Sequence, residues 1–424
     1  MKIFCKKIRA LVLLGFIAFF VGCADDDSQE VVLYPDSSLI QGLYPNDYAQ
    51  NDSAAANLAH GITLSVHPKA TYQLSFDVDP SFEPPKLQLF RIVFNKDSTD
   101  VWAHMVRSLE PVVANGRYIY SFVCEENANA IWATSLLQDD TYYQGRVSNI
   151  RFTGDGAYSE NFSINLILVG NIEEELDSFT VSELSTSLLQ EFRKHYSSVT
   201  IDTLYINRAE EHPTLGSKYP ANKPWLAGYS SEDTFLSELG GWPGIENALD
   251  IVLVHRINNE NILGYSKLFS GNLGKGYGST VVLGTHLKTI IGEEPISMKD
   301  IVETGLHETG HFFGLRHTTA TLADIETVYK GYDFGDYSNL EDGLDDTPNC
   351  NKTSISSLKT IQSTDIFKPR IMQRIRIADN SSFKTDNCPD ASNYMFPVTV
   401  QNQTLSFSPQ QLEIIRKNLT IFPH

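Results

Sequence analysis

One short segment constrains this chain more than any other part of it: positions 307 to 317 read His-Glu-Thr-Gly-His-Phe-Phe-Gly-Leu-Arg-His. Residues four apart face the same side of a helix, so His307 and His311 can present both imidazoles to one ion. Glu308 lies about 100° round the helix from His307, close enough to reach a water molecule held by that ion. The segment therefore predicts a helix that carries two metal ligands and a general base.

His317 requires a break in this helix, because six helical residues after His311 would leave its side chain about 120° away from the ligand face. Gly314 can supply the turn, since glycine adopts a positive φ without a Cβ clash. Three imidazoles with one open position are typical of catalytic zinc, whereas a closed structural site uses four protein ligands. A single histidine is more often a surface or core residue. Together, the five specified positions would arise by chance about once in ten thousand such chains or less. These positions are His307, Glu308, His311, Gly314 and His317.

Helix and strand signals surround this segment. Hydroxyl residues followed three positions later by a capping partner mark three helix starts: Thr180 with Glu183, Ser297 with Asp300, and Ser408 with Gln411. Apolar runs predict strands at 164–169, 199–206, 251–254, 263–268 and 281–285. This order predicts an α+β (mixed α/β) domain over residues 164–424, with a mixed, mainly parallel sheet and a helix over 298–313. The run at 263–268 is expected to be an edge strand that could align an extended peptide. His255 and His286 lie at strand ends, where each could border the cleft; a structural role is expected for both.

The preceding region has a different pattern. Because 424 residues exceed one typical core, two folded units are expected behind a targeting segment. Short β-like runs broken by Pro, Asp, Asn and Gly predict an all-β accessory domain over residues 43–160, of the β-sandwich type. No catalytic constellation lies in it, and whether it is a removable pro-segment or a permanent module is left open.

The N-terminus predicts export. Basic residues precede an apolar run at 11–21 that is too short to span a bilayer comfortably, so residues 1–22 read as a signal peptide. The run ends in Phe-Val-Gly-Cys, which resembles a bacterial lipobox with Cys23 as the lipidated mature N-terminus. Residues 23–42 are then a tether, whose early Asp run resembles a surface-export tag or is simply solvated. The chain is expected to be an exported bacterial lipoprotein of the outer membrane, at the cell surface, held in the membrane by its lipid anchor.

Charge and cysteine usage limit the remaining possibilities. A net charge of −19 argues against a nucleic-acid partner, because binding a phosphate backbone calls for clustered Lys and Arg. Of the five cysteines, one leaves with the signal peptide and Cys23 is modified, which leaves Cys124, Cys350 and Cys388. Export permits disulfides, and one pair with one odd thiol is the simplest arrangement.

The segment at 307–317 resembles the elongated zinc motif of the metzincins, a family of zinc proteases. Two later features are similar to its pappalysin-like (cytophagalysin) branch: Asp-Gly-Leu-Asp-Asp-Thr-Pro-Asn-Cys at 342–350, and Cys388 ahead of Asn-Tyr-Met at 393–395. The resemblance covers roughly residues 164–424 and implies a metzincin-type catalytic domain.

The resemblance also implies roles for single residues. Met395 would form a hydrophobic floor under the zinc, and Cys350 would pair with Cys388. Calcium is implied near Asp342 and Thr347, where the alternative is an Asp-rich turn. One position departs from the pattern, because the branch often has a Tyr two residues after the Met and this chain has Pro397. A transition-state role for such a Tyr is therefore not carried over, and Tyr394 is expected to pack or point away.

The expected activity is peptide-bond hydrolysis by a zinc-dependent endopeptidase acting on protein or peptide substrates. His307, His311 and His317 would hold zinc, and Glu308 would activate the zinc-bound water and pass its proton to the leaving amine. The main alternative is a catalytically silent surface-binding lipoprotein with a retained metal site. A zinc hydrolase of another type is a weaker alternative, because Gly314 and His317 point to metzincins.

Overall fold

Strands occupy the N-terminal part of the described chain, and strands and helices alternate in the rest. The structure is a computed structural model. It describes residues 38–39, 63–66, 68–78, 80–94, 101–114, 117–127, 130–139, 141–143, 147–154, 159–228, 236, 238–260, 262–267, 273, 280–289, 291–319, 342, 344–348, 350, 371–375, 388–399 and 403–421. The chain divides into two units, Met1–Pro35 and Asp36–His424, and all described residues belong to the second. The predicted signal peptide and Cys23 lie outside the described residues.

The N-terminal strands form two antiparallel sheets. The strands are β1 (Ser38–Leu39), β2 (Thr63–Val66), β3 (Thr71–Val78), β4 (Lys86–Phe94), β5 (Val101–Leu109), β6 (Val112–Ala114), β7 (Arg117–Val123), β8 (Ala130–Gln138), β9 (Thr141–Tyr142) and β10 (Val147–Gly154). One sheet has the order β1-β10-β3-β7-β6, and the other has the order β2-β8-β4-β5 with β9 paired to β8. The pairing of β1 with β10 places Ser38–Leu39 in a sheet, although the sequence predicted a tether up to residue 42.

One hydrophobic cluster contains side chains from both of these sheets. Tyr72 and Phe122 come from the first sheet, and Leu89 and Trp132 come from the second; all four are buried. Alternating apolar residues on the strands produce this cluster, because successive side chains of a strand point to opposite faces. Cys124 is buried beside it as a free thiol.

The remaining elements belong to one mixed sheet and its helices. They are β11 (Asn161–Leu168), α1 (Ile172–Glu175), α2 (Val181–His195), β12 (Thr200–Arg208), β13 (Leu226–Ala227), β14 (Ala248–Glu260), β15 (Ile262–Lys267), β16 (Thr280–Thr289), β17 (Gly292–Pro295), α3 (Met298–Phe312), β18 (Ile371–Ile375) and α4 (Pro409–Ile421), with 3-10 turns at Ala209–Glu211, Gly216–Lys218 and Pro389–Ser392. The strand order is β12-β11-β14-β16-β15-β18, with β13 on β14 and β17 on β16. Strands β12, β11, β14 and β16 run parallel, and β15, β17 and β18 pair antiparallel. The predicted mixed α/β class with a mainly parallel sheet is thus observed here.

The expectation that residues 263–268 form an edge strand is wrong. Strand β15 pairs with β16 on one side and with β18 on the other, so its backbone groups are already used by two neighbours. The second partner lies more than a hundred residues further along the chain, a distance at which a local apolar pattern cannot indicate pairing. Strand β15 instead supports α3, where a Cβ at Gly264 would lie only 2.6 Å from the Thr304 methyl group.

Helices α2 and α3 bury their apolar faces in one core with strands of the mixed sheet. Leu184, Leu188 and Phe192 of α2, which share one helical face, are fully buried, and Leu306 of α3 joins them. The capping box at Thr180 is present with both of its hydrogen bonds. Among the described residues, no helix has the length and apolar character needed to cross a membrane.

Candidate metal centre

Helix α3 begins and ends where the sequence indicates. The Ser297 hydroxyl accepts a hydrogen bond from the Asp300 backbone N–H at 3.1 Å, which caps the first turn. The helix ends at Phe312, and Gly314 follows with φ of +96°, a conformation that side chains with a Cβ rarely adopt. The predicted turn at Gly314 is therefore confirmed, and it brings His317 back toward the two helical histidines.

Three imidazoles converge at the end of α3. The Nε2 atom of His311 lies 3.0 Å from Nε2 of His307 and 3.2 Å from Nε2 of His317. All three side chains are buried, with exposed fractions of 0 to 5%. The sequence-predicted ligand set is thus brought together, and it forms one group that could hold a metal ion.

Backbone carbonyls determine which ring nitrogens carry the protons. Nδ1 of His307 lies 2.5 Å from the Tyr394 carbonyl oxygen, and Nδ1 of His311 lies 2.6 Å from the Leu315 carbonyl oxygen. A carbonyl oxygen can only accept, so both Nδ1 atoms must donate, and both neutral rings present a lone pair at Nε2. Two lone pairs 3.0 Å apart repel each other unless a cation lies between them. This arrangement fits a metal ion.

The spacing of the nitrogens also suits zinc. Two nitrogens bound at the usual Zn–N distance to one tetrahedral ion would lie about 3.3 Å apart, close to the observed 3.0 and 3.2 Å. Neutral imidazoles are ligands for zinc and for other first-row transition metals, whereas calcium and magnesium prefer oxygen. The geometry therefore favours a first-row transition metal, and a measurement of metal content would identify which one.

Glu308, the predicted base, is fully buried next to His307. Its Oε2 atom accepts a hydrogen bond from the Ser266 hydroxyl at 3.0 Å. Ser266 belongs to β15 and is itself buried, so the strand under the helix fixes the orientation of this carboxylate. Sequence reasoning missed Ser266, because no local motif links a strand serine to a helix carboxylate that is 42 positions away.

Met395 packs directly beneath α3. A Cβ built on Gly310 would lie 2.5 Å from Met395 Sδ, so the methionine occupies the space that the glycine leaves. Met395 is fully buried, and its carbonyl accepts a hydrogen bond from the Thr318 backbone N–H at 3.1 Å. The structure thus shows Met395 packed against the helix that carries His307 and His311, and its role as a floor under zinc stays a prediction.

The Tyr394 ring packs against other aromatic rings, one of the two arrangements expected for it. Its centroid lies 4.9 Å from that of Phe407 and 4.9 Å from that of His195. The contribution of Tyr394 to the site is its backbone carbonyl on His307, which the side-chain pattern could not indicate. The position two residues after the methionine is Pro397, which is buried.

Hydrogen bonds and a disulfide tie the segment around Met395 to the chain after His317. Thr318 and Thr319 each donate a side-chain hydrogen bond to Asp390 Oδ2, at 2.6 and 2.7 Å. The Cys350 backbone N–H donates to the Thr319 hydroxyl at 2.9 Å, and Cys350 forms a disulfide with Cys388, the pairing that the resemblance implied. Burial raises the pKa of Asp390, although the two threonine hydroxyls oppose this shift.

Asp342 and Thr347, where calcium was expected, bind each other. The Thr347 hydroxyl lies 2.8 Å from both carboxylate oxygens of Asp342, and the Leu344 N–H and the Gln411 amide also donate to that carboxylate. Burial raises the pKa of Asp342 to about 7. These contacts belong to an ordered Asp-rich turn, and the calcium site stays a prediction.

Comparisons with known proteins identify no family for this chain. The sequence matches no protein-family model and no curated protein. Solved structures with weak similarity to this chain include the following two. Metalloproteinase-II from Bacteroides fragilis has 12% identity and a TM-score of 0.23, over 52% of this chain and 79% of that one. Endo-1,4-β-D-xylanase 10B from Clostridium thermocellum has 9% identity and a TM-score of 0.18, over 42% of this chain and 39% of that one. At such TM-scores neither similarity carries an argument, so the function is argued from the site itself.

Proposed function

We propose that this protein is a zinc-dependent endopeptidase of the metzincin type, in the pappalysin-like branch. One observation carries the proposal: the Nε2 atoms of His307 and His317 lie 3.0 and 3.2 Å from that of His311, all three rings are buried, and a buried carboxylate follows the first of them in the chain. Three protein ligands leave an open coordination position, which is what a catalytic zinc requires. The resemblance at 342–350 and 393–395 supports the branch.

The chain's own side chains would divide the reaction between them. A bound zinc ion would lower the pKa of a water molecule and polarise the scissile carbonyl. Glu308 would take the proton of the attacking water and deliver it to the leaving amine. The Ser266 hydroxyl, which donates to Glu308 Oε2, would hold the carboxylate in place while the other oxygen works. Ser266 is thus a positioning residue.

The substrates in this proposal are proteins or peptides. Because β15 has strands on both sides, it cannot align an extended peptide by adding a further strand. Strand β17 is exposed and has β16 as its described partner. Pairing of that kind sets the register of a peptide and leaves its side-chain preference to the pockets.

The decisive experiment separates the ligands from the base. His307→Ala, His311→Ala and His317→Ala should each lower zinc occupancy, measured by atomic absorption, because deleting one of three ligands leaves two. Glu308→Gln should keep the zinc, and its rate on a denatured protein substrate should fall by ~10²- to 10⁴-fold, the contribution of a positioned general base.

A matched control lies on the same helix. Glu303→Gln makes the same chemical change five positions before Glu308, at a residue whose ion pair with Lys299 spans 3.6 Å. The exchange keeps the size of the side chain, and Glu303 is not part of the His307 group, so the variant's rate and zinc content should equal those of the wild type. A zinc-loaded Glu308→Gln protein with undiminished rate would refute the mechanism. Zinc-loaded wild type without any hydrolysis would favour the silent binding protein.

The proposal extends to the rest of the chain. The antiparallel sheets around Tyr72 and Trp132 would form a β-sandwich accessory domain, which their shared hydrophobic cluster supports. The protein would be an outer-membrane lipoprotein anchored through Cys23. Cys23→Ser should release the protein from the membrane fraction, and a serine variant that still fractionates as an integral membrane protein would contradict the anchor.

A further inference from the structure

A second cluster of ligand-type side chains lies where the parallel strands end. His255 and His286 come from the C-terminal halves of the adjacent parallel strands β14 and β16, and Glu175 ends α1, the short helix that follows β11. Open α/β sheets bind ligands outside the carboxyl ends of their strands. One ligand atom of each of these residues lies within 4.8 Å of the others.

The hydrogen bonds leave a lone pair on His286. The Thr285 hydroxyl donates to the His255 carbonyl oxygen at 3.0 Å, and it has only one hydrogen to give. Nδ1 of His286, 3.0 Å from the same hydroxyl oxygen, must therefore carry a proton and donate it. A ring protonated at Nδ1 alone presents its lone pair at Nε2, and burial favours this form by lowering the pKa of His286.

Glu175 supplies a second group that lacks a hydrogen-bond donor. Its side chain is 10% exposed, and its Oε2 atom accepts a short hydrogen bond of 2.6 Å from His255 Nδ1. Its Oε1 atom is buried and has no hydrogen-bond partner within the described part of the chain. A buried carboxylate oxygen without a donor is costly, and a cation would remove that cost.

His255 connects these groups. Its ring stacks on His286 with the centroids 4.3 Å apart, and its Nε2 atom faces Glu293 Oε1 at 3.2 Å. Both ring nitrogens of His255 thus face carboxylate oxygens. Arg256 also donates to Glu293, at 2.8 Å, so Glu293 keeps a cationic partner if His255 binds a metal ion instead.

We propose that Glu175, His255 and His286 form a second metal site, for a first-row divalent transition ion such as zinc. Two imidazoles and a carboxylate suit this class, whereas calcium and magnesium require mainly oxygen ligands. The site shares no residue with the His307 centre, and its ion links α1, β14 and β16.

The test measures metal per chain after equilibrium dialysis against zinc, with each variant's fold checked by circular dichroism. The wild type should hold about two zinc ions, and a His307→Ala, His311→Ala double variant, which disables the first centre, should hold about one. Adding His286→Ala or Glu175→Gln to that double variant should remove the remaining ion. His104→Ala, at an exposed strand position, serves as the histidine-loss control and should leave the metal content unchanged.

The thermal midpoint is a second measurement, and it distinguishes loss of metal binding from poor folding. Zinc should raise the thermal midpoint of the double variant, and His286→Gln should abolish that rise while its metal-free midpoint stays close to the parent's. If the double variant binds no zinc, or if His286→Gln and Glu175→Gln keep one ion, the cluster is a metal-free ion network and the proposal fails. Both results are independent of whether the His307 centre hydrolyses peptides.

Discussion

Two glycines on the same helix should respond in opposite ways to the same substitution. In Gly310→Ala, the new Cβ would lie 2.5 Å from Met395 Sδ and 3.2 Å from Met395 Cε, closer than side chains tolerate. In Gly305→Ala, the nearest atoms are the Leu188 and Leu283 methyl groups at 3.4 Å, an ordinary contact. The two variants thus share the helix and the chemistry, and they differ in the space available.

The magnitudes follow from two opposing effects. Replacing glycine by alanine inside a helix stabilises it by about 1 kcal/mol. Overpacking a filled core costs about 1–3 kcal/mol. Gly305→Ala should therefore be up to ~1 kcal/mol more stable than the wild type, and Gly310→Ala should be ~0–2 kcal/mol less stable. Because Tyr394, whose carbonyl orients His307, precedes the displaced methionine, Gly310→Ala should also weaken zinc binding.

The assay is chemical denaturation of the metal-free variants, with zinc affinity measured in parallel. The double variant Gly310→Ala, Met395→Ala should lose less stability than the sum of the two single changes, because the new methyl group enters the space left by the methionine. Equal stability for the two alanine variants, or strict additivity in the double variant, would show that Met395 does not fill the space beside Gly310.

Three further outcomes are expected. Removing the disulfide with Cys388→Ser should lower the free energy of unfolding by about 4 kcal/mol, since a closed loop of this length restricts the unfolded chain, and denaturation of both proteins tests this. Tyr196→Phe should cost about 1 kcal/mol, because its buried hydroxyl donates to the Leu306 carbonyl at 2.5 Å; no loss in a urea titration would contradict that bond. Burial raises the pKa of Asp250 to about 7, above its unfolded value. The protonated carboxyl therefore contributes fully to the free energy of unfolding below pH ~4, and this contribution is lost as pH rises through 7. Asp250→Asn should flatten that decline when the free energy of unfolding is measured across this pH range.

The features that the sequence predicted correctly depend on residues that lie close together in the chain. The Ser408 cap shows this: its hydroxyl accepts from the Gln411 N–H at 3.2 Å, and the Gln411 side chain accepts from the Ser408 N–H at 3.0 Å, as the three-residue spacing required. The turn at Gly314 is local in the same way, because one positive φ redirects the chain within three residues. Spacing alone therefore located the three imidazoles.

Contacts between distant segments were not predictable from one sequence. The pairing of β15 with β18 joins parts of the chain more than a hundred residues apart, and it reversed the expectation of an edge strand. The cluster of Glu175, His255 and His286 depends on the order β11-β14-β16, which an apolar pattern does not encode. His255 and His286 were each expected to be structural because their proximity could not be read from positions 31 residues apart.

The orientation of the metal ligands depends both on the local motif and on contacts between distant segments. His311 is oriented by the Leu315 carbonyl, which the Gly314 turn brings back over the helix end, so the motif supplies that contact by itself. His307 is oriented by the Tyr394 carbonyl, 87 positions away. The segment at 388–399 contributes no predicted ligand, yet it holds one imidazole and fills the space beneath the helix, and the disulfide anchors its first residue. Metal affinity in this protein should consequently depend on residues that never touch the ion, because they decide whether the lone pairs converge.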